Sequence, residues 1–253
     1  MPNLVGLRGQ KMNDCKILIT GATGLIGQAV IRRIWKEYSN ISIMAMVRNK
    51  DKAIKLLGEE SEKFSYLVED VCSIMPKELD IDYIIHGAGE TSSRAFIDKP
   101  VETIVTAFQG TKNMLDIAKL SKVQGFVYLS SMEVYGTPLT DEKISETYGT
   151  NLETMKVRSC YPESKRMCEN LCMSYMSEFG IGVKIVRLTQ TFGPGVQYND
   201  ARVFAEFSRC ALEEKNIVLK TKGETRRSYL YTEDAANAIL KILINGVAGE
   251  AYN

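Results

Sequence analysis

Three glycines at a spacing of three, Gly21, Gly24 and Gly27, set the tightest limit on how this chain folds. They follow a short β-branched run, Lys16–Thr20 (KILIT), and they open a helical pattern over Leu25–Tyr38. In that pattern Leu25, Ile26, Val30, Ile31 and Ile34 share one side. The expected local structure is a strand, a tight turn and a helix. Such a turn lets backbone approach a pyrophosphate, and the helix N-terminus adds N–H groups and a positive dipole end. A glycine pattern alone is weak. A strand before it, a helix after it and the start of a βαβ unit supply the context that the reading needs.

The same rhythm continues along the chain. Ile41–Val47 reads as a second strand and Lys50–Leu57 as a short helix. Phe64–Val68, Ile81–His86 and Gly125–Ser130 read as the third, fourth and fifth strands, with a helix over about 101–120. Tyr161–Phe179 is a long helix and Val183–Leu188 a sixth strand. Buried strands alternating with helices predict an α/β fold with a doubly wound, Rossmann-like parallel sheet. After Leu188 the rhythm breaks. Thr191–Asp200 is turn-rich, Ala201–Glu214 looks helical, Ile217–Lys220 reads as a short strand and Lys222–Arg227 as a polar loop. Thr232 is the expected N-cap of a helix over Glu233–Ile244, with Glu233 and Asp234 at its positive end. The expected division is a dinucleotide-binding domain over 12–188, with 232–247 packing back on it. A small, incomplete substrate lobe occupies 189–253.

Composition removes several classes. Of 253 residues, 45% are apolar and 25% charged, ordinary values for a globular chain. Lys plus Arg is 32 and Asp plus Glu is 31, so the net charge of +1 offers no basic excess for nucleic acid. The longest uncharged apolar run, Ile41–Val47 with Ser42 inside it, is far short of the ~20 residues of a membrane span. The first fifteen residues lack the apolar core of a secretory signal. The six cysteines form no C-x-x-C pair and the only histidine is His86, so no metal site is expected. Reduced thiols and a cytoplasmic location are expected instead.

Further motifs stand at the ends of successive elements. Asp70-Val71 follows the third strand, His86-Gly-Ala88-Gly89 ends the fourth, and Ser130-Ser131-Met-Glu133-Val-Tyr-Gly136 ends the fifth. Tyr161-Pro-Glu-Ser-Lys165 opens the next helix. With the G-x-x-G-x-x-G turn, this ordered set resembles the extended branch of the short-chain dehydrogenase/reductases over about residues 16–253. Within that branch it resembles the NAD(P)-dependent nucleotide-sugar epimerase/dehydratase family. The spacing of Tyr161 and Lys165 puts both on one helix face. An ammonium beside a phenol stabilises the phenolate, so the Tyr161 pKa is expected to fall toward the working range. The resemblance implies that Tyr161 removes a hydroxyl proton and Lys165 holds the nicotinamide ribose. It implies that Ser131 binds the reacting oxygen. Gly21, Thr23, Gly24, Leu25, Ile26, Gly27, Arg48, Asp70, Val71, Ala88 and Gly89 would then line the cofactor.

Ser131-Met-Glu133 resembles the T-S-E of nucleotide-sugar decarboxylases, and some epimerases also keep that Glu. Sugar dehydratases carry T-D-E there, and the Met132 thioether cannot donate the proton of that Asp. Arg227, in Arg226-Arg-Ser-Tyr-Leu-Tyr-Thr-Glu-Asp234, resembles the family's diphosphate-gripping arginine, and guanidinium geometry suits that contact. Thr91, Gln190 and Arg202 complete the implied substrate side. Gln190 and Phe192 depart from the family's x-N-x-Y-G-P, and Ala107 stands where an N-x-x-G-T motif has Asn. The second strand ends in Val47-Arg48-Asn49-Lys50 without the Asp that favours NAD, so NADP is favoured over NAD. The expected reaction is oxidation of a nucleotide-diphosphate sugar hydroxyl, usually C4, followed by epimerisation or decarboxylation. The rival is an NADPH-dependent reductase of a keto-sugar or other carbonyl. A non-catalytic dinucleotide-binding protein comes last, against an intact Ser131, Tyr161 and Lys165. A homodimer is implied by the family. So is further chain after Gly249-Glu-Ala-Tyr-Asn253, which resembles the G-x-x-[YF]-N entering another strand.

Overall fold

Ile17, Leu18 and Ile19 are buried one after another, which requires a strand covered on both faces. In the computed structural model, which describes residues 14–219, 222–223 and 226–253, that strand is β1, Cys15–Thr20. The order continues with α1 (Leu25–Glu37), β2 (Ile41–Val47), α2 (Lys50–Leu57), β3 (Phe64–Val68) and β4 (Tyr83–His86). Then come α3 (Ala95–Asp98), α4 (Pro100–Leu120), β5 (Gly125–Ser131), α5 (Cys160–Phe179) and β6 (Val183–Leu188). The last part holds β7 (Gln190–Phe192), α6 (Val203–Leu212), β8 (Tyr229–Tyr231), α7 (Thr232–Asn245) and β9 (Ala251–Tyr252). Seven parallel strands form one sheet in the order β3-β2-β1-β4-β5-β6-β9. The chain reverses direction across the sheet between β1 and β4. The crevice at the C-terminal ends of those two strands is where ligands sit in such sheets.

One core lies between the sheet and α1 with α7. It joins Ile17 and Ile19 to Val30, Ile31, Ile34, Ile239, Leu240 and Leu243. The other lies under α4 and α5 and joins Leu18, Ile84 and Phe126 to Met114, Leu115, Cys168 and Cys172. Thus α7 returns to the sheet after the excursion through residues 189–231. That excursion carries its own parallel pair, β7 with β8.

Four details differ from the sequence reading. The fourth strand starts at Tyr83 instead of Ile81. The Asp82 carboxylate accepts from the Lys16 N–H at 2.8 Å and its carbonyl accepts from the Gln124 N–H at 2.8 Å, so Asp82 closes the sheet's lower edge outside the ladder. Ile217–Leu219 is exposed and irregular, because no strand among the described residues pairs with it; Lys220 lies outside the described residues. Tyr231, not Thr232, occupies the N-cap of α7. Thr232 is buried as the first helical residue, and its hydroxyl closes on Gly193, where an added Cβ would lie 2.4 Å away. Finally, Ala251–Tyr252 pairs with β6 as the seventh strand instead of belonging to the substrate lobe.

Leu240 is 1% exposed in the α7 core. Leu240→Ala is expected to cost about 2–5 kcal/mol, read from the denaturation midpoint. Unchanged stability would contradict the docking of α7 on the sheet.

Candidate active site

The Thr20 hydroxyl joins the glycine turn to the end of β4. It accepts from the Gly87 and Ala88 N–H groups, each at 3.1 Å, and lies 2.7 Å from His86 Nδ1. With both lone pairs used, the hydroxyl proton goes to Nδ1. His86 therefore carries its proton on Nε2, which meets Thr111 Oγ1 at 3.2 Å. Burial, helped by the Lys165 charge, pushes the His86 pKa down to about 3, so the ring is neutral.

Two glycines are required by space. Gly21 has φ +68°, and a Cβ there would lie 2.7 Å from the Gly87 carbonyl carbon and oxygen. A Cβ on Gly27 would lie 2.3 Å from the Gly21 oxygen. Gly24 caps α1 without a side chain, and the first turn of α1 holds no acidic residue. Buried Gln28 donates to the Thr23 carbonyl at 2.9 Å and stiffens the turn. Ile26 packs on the first core, and Leu25 lies beside Gly195. The result is a tight, glycine-opened cradle at the positive end of α1 that fits a dinucleotide pyrophosphate.

At the ends of β2 and β3, Arg48 is 82% exposed in its side chain, with Nη1 3.8 Å from Asp70 Oδ2. Asp70 Oδ1 accepts from the Cys72 N–H at 2.8 Å. Asn113 donates to the Val71 carbonyl at 2.8 Å, and Gly110 leaves room for the Val71 side chain. Gly89 is open on its Cβ side, and Thr91 is exposed, its N–H given to Glu90.

Ser131, Tyr161 and Lys165 come together where β5 ends against the first turns of α5. Ser131 lies near enough to Tyr161 to lower its pKa, and its Oγ accepts from the Glu133 N–H at 3.2 Å. Lys165 Nζ donates to the Leu129 carbonyl at 2.8 Å and lies 4.8 Å from the Tyr128 ring centre and 5.9 Å from that of Tyr161. The expected fall in the Tyr161 pKa is not found. Burial dominates and pushes it up to about 12. Ser131 lowers it, the Glu133 charge raises it and the Arg158 charge lowers it. Burial likewise pushes Lys165 down to about 8. The physical reason is a dry site in which the ammonium faces a backbone carbonyl instead of the phenol oxygen. Behind the triad, Ser130 donates to Glu169 at 2.5 Å, and Arg187 holds Glu169 at 2.7 and 3.1 Å. That ion pair fixes the end of β5 against α5.

Glu133 is paired with Arg158, whose Nη2 lies 2.9 and 3.2 Å from its two oxygens. The Arg158 guanidinium lies 4.7 Å from the Phe96 ring centre, and Phe96 stacks on Tyr161 at 4.2 Å and 15°. Sequence reading missed both residues. Arg158 lies one helical turn before Tyr161, a spacing that could have marked it; Phe96, a single aromatic in a polar stretch, carries no such signal. The Thr189 hydroxyl lies 2.7 Å from the Ser228 carbonyl and 3.2 Å from Met132 Sδ. It ties the strand that follows Arg227 to the Ser131–Glu133 turn. Gln190 stands on β7 opposite Tyr229. Arg226 and Arg227 are exposed, whereas Arg202 is held by Asp200 at 2.6 Å, the Thr191 carbonyl at 3.0 Å and the Phe204 ring.

Residues 17–253 match the NAD dependent epimerase/dehydratase family. UDP-glucuronic acid decarboxylase 6 of Arabidopsis thaliana is 32% identical over 243 residues, 94% of this chain and 69% of that protein. UDP-glucuronic acid decarboxylase 1 of Xenopus tropicalis is 29% identical over 235 residues, 92% of this chain and 54% of that protein. UDP-glucuronic acid 4-epimerase from Bacillus cereus, solved with UDP-glucuronic acid and NAD, is similar at a TM-score of 0.81 and 25% identity, over 94% of this chain and 76% of that one. UDP-N-acetylglucosamine 4-epimerase from Methanobrevibacter ruminantium M1 shares the fold at a TM-score of 0.83 and 20% identity, over 96% of this chain and 76% of that one.

The burial of Lys165 has a pH signature. Its folded pKa of about 8 lies below the ordinary value of 10.5. Between those values the unfolded chain binds more protons, so stability attributable to Lys165 rises with pH across that window. Lys165→Met removes the buried charge, against the loss of one hydrogen bond to Leu129. Its stability relative to the parent is expected to be greatest below pH 8 and to shrink toward pH 10.5, read from melting temperatures. A relative stability that grows with pH would contradict the buried ammonium.

Proposed function

Because this chain belongs to the NAD dependent epimerase/dehydratase family, we propose that it is a nicotinamide-dependent enzyme acting on a nucleotide-diphosphate sugar. It oxidises a ring hydroxyl, taken as C4, and the keto sugar is then epimerised or decarboxylated. One observation carries this reading. Ser131 and Tyr161, with Lys165 one turn on, stand where β5 runs into α5, at the same C-terminal edge of the parallel sheet as the glycine turn that follows β1.

The cradle of Gly21, Thr23, Gly24, Leu25, Ile26 and Gly27 would hold the cofactor pyrophosphate, with Asp70, Val71, Ala88 and Gly89 beside it. A bound nicotinamide would supply the hydride acceptor for the sugar carbon. Ser131 orients the sugar hydroxyl, and Tyr161 Oη takes its proton. Only the phenolate can take that proton; at a resting pKa of about 12 Tyr161 keeps its own, so Ser131 and Arg158, the two groups that lower the pKa, favour the reactive form. Lys165 reaches a ribose hydroxyl by leaving the Leu129 carbonyl. Glu133 moves the proton at the carbon next to the ketone, a role that Met132 cannot take. Arg227 grips the diphosphate, while Thr91, Gln190 and Arg202 bound the sugar side.

The finer cofactor choice is NADP. Arg48 projects from the end of β2, weakly held by Asp70, where a 2′-phosphate would gain from a guanidinium. Homodimerisation through α4 and α5 is supported by the exposed Val101, Ile104, Val105 and Met167 on those helices. Six free cysteines favour a reducing, cytoplasmic setting, and among the described residues no helix is long and apolar enough to cross a membrane.

Purified protein supplied with nicotinamide cofactor and UDP-glucuronate, UDP-glucose or dTDP-glucose is expected to convert at least one sugar, followed by mass spectrometry and sugar NMR. Tyr161→Phe is expected to lower kcat by roughly 10²–10⁴. Reduction of simple ketones with no turnover of any nucleotide sugar would overturn the reading. Calorimetry should give tighter binding of NADPH than of NADH, with the preference lost in Arg48→Ala; equal binding by the parent protein would overturn the NADP assignment.

A further inference from the structure

Phe96 and Tyr161 are stacked face to face, with ring centres 4.2 Å apart and planes 15° from parallel. The other contacting ring pairs among the described residues lie between 34° and 87°. This flat stack is held from several sides. Phe96 is 2% exposed. Its N–H donates to the Ser92 carbonyl at 3.2 Å, and its own carbonyl accepts from Cys160 Sγ at 3.3 Å. Cys160 immediately precedes Tyr161, so the backbone that carries Phe96 is tied to the start of the helix that carries Tyr161. The Arg158 guanidinium, from the 3₁₀ turn Val157–Ser159, lies over the Phe96 ring at 4.7 Å. The Ser159 hydroxyl ties that turn to the Glu153 carbonyl at 2.7 Å.

Such a stack controls one torsion. The Tyr161 oxygen lies on the axis that runs from Cβ through the ring, so turning the ring about χ2 leaves the oxygen in place. What turns is the plane of the O–H and of the in-plane lone pair, because conjugation keeps them in the plane of the ring. This torsion has only broad minima of its own, so the side chain alone does not fix it. A phenol oxygen that exchanges a proton with a sugar hydroxyl needs that plane directed at the hydroxyl, and small errors of geometry cost much rate. Burial of Tyr161 could be served by any apolar side chain. Parallel ring planes and a backbone tie between the two residues specify an orientation, which burial does not require.

We propose that Phe96 is a positioning residue for proton transfer, its stacked ring setting the plane of the Tyr161 phenol so that the in-plane lone pair faces the reacting hydroxyl. The identity of that hydroxyl rests on the nucleotide-sugar reading above; the ring geometry does not.

Two measurements test the two parts. The first needs no substrate. The full chain is labelled with 3-fluorotyrosine, and the Tyr161 fluorine resonance is identified by its loss in Tyr161→Phe. The parent ring is expected to be held, with signals free of flip averaging, whereas Phe96→Leu is expected to let the ring flip freely and give one averaged signal. Phe96→Met serves if Phe96→Leu does not fold. A Tyr161 ring that already flips rapidly in the parent, or flips no faster in the variant, overturns the proposal. The second is turnover of the nucleotide sugar that the parent converts. Phe96→Leu is expected to lower kcat roughly tenfold or more while KM stays within about threefold. The solvent deuterium isotope effect on kcat is expected to rise, because proton transfer becomes the slow step. An unchanged kcat overturns the role in proton transfer, as does a fall in kcat with an unchanged isotope effect, which signals lost folded protein. If the parent converts no nucleotide sugar, that reading fails, and the fluorine spectra still decide whether Phe96 fixes the ring.

Discussion

The Thr20 hydroxyl and the missing Cβ of Gly21 together close β1 onto β4, and the remaining geometry follows from that contact. If the turn carried a side chain, it would strike the Gly87 carbonyl. If Thr20 lacked its hydroxyl, the Gly87 and Ala88 N–H groups and His86 Nδ1 would lose their shared partner. The close approach creates the crevice at the reversal of strand order. It also fixes His86 as a neutral ring whose Nε2 proton points to α4. Since α4 in turn packs along α5, the turn and the Tyr161 helix are parts of one rigid frame.

Within that frame the two titrating groups are held in their less reactive balance. Burial disfavours both the phenolate and the ammonium, and the Lys165 ammonium turns to a backbone carbonyl. Ser131 and the Arg158 charge act against burial at Tyr161, while Glu133 acts with it. The Arg158–Glu133 pair therefore does two things. It keeps the Glu133 anion from further raising the phenol's pKa unopposed, and it holds that anion at the edge of the cleft. The buried Glu169–Arg187 pair behind β5 keeps the Ser131 end of the strand from drifting as these charges change.

Much of the fold was legible because its signals are local. A glycine triplet between a strand and a helix, unbroken β-branched runs and an i, i+4 Tyr–Lys pair each follow from neighbours in sequence, and each lies where it was expected. The misses come from long-range effects. Ile217–Leu219 has strand composition, yet a strand exists only where another chain segment pairs with it. Thr232 has capping chemistry, yet Gly193 draws its hydroxyl into packing. The pKa of Tyr161 depends on the dryness that Phe96 and α3 impose, which spacing along α5 does not encode. Arg158 and Phe96 matter through a stack that joins α3, a 3₁₀ turn and α5, elements far apart in sequence.

The central claim is that Tyr161 and Ser131 work on a sugar hydroxyl whose carbon gives up hydride. Turnover of a UDP-sugar labelled with deuterium at C4 tests this directly. The labelled sugar is expected to react more slowly than the unlabelled one, with the deuterium recovered on the nicotinamide ring or returned to C4 of the product. Equal rates, with the deuterium never leaving C4, would contradict it.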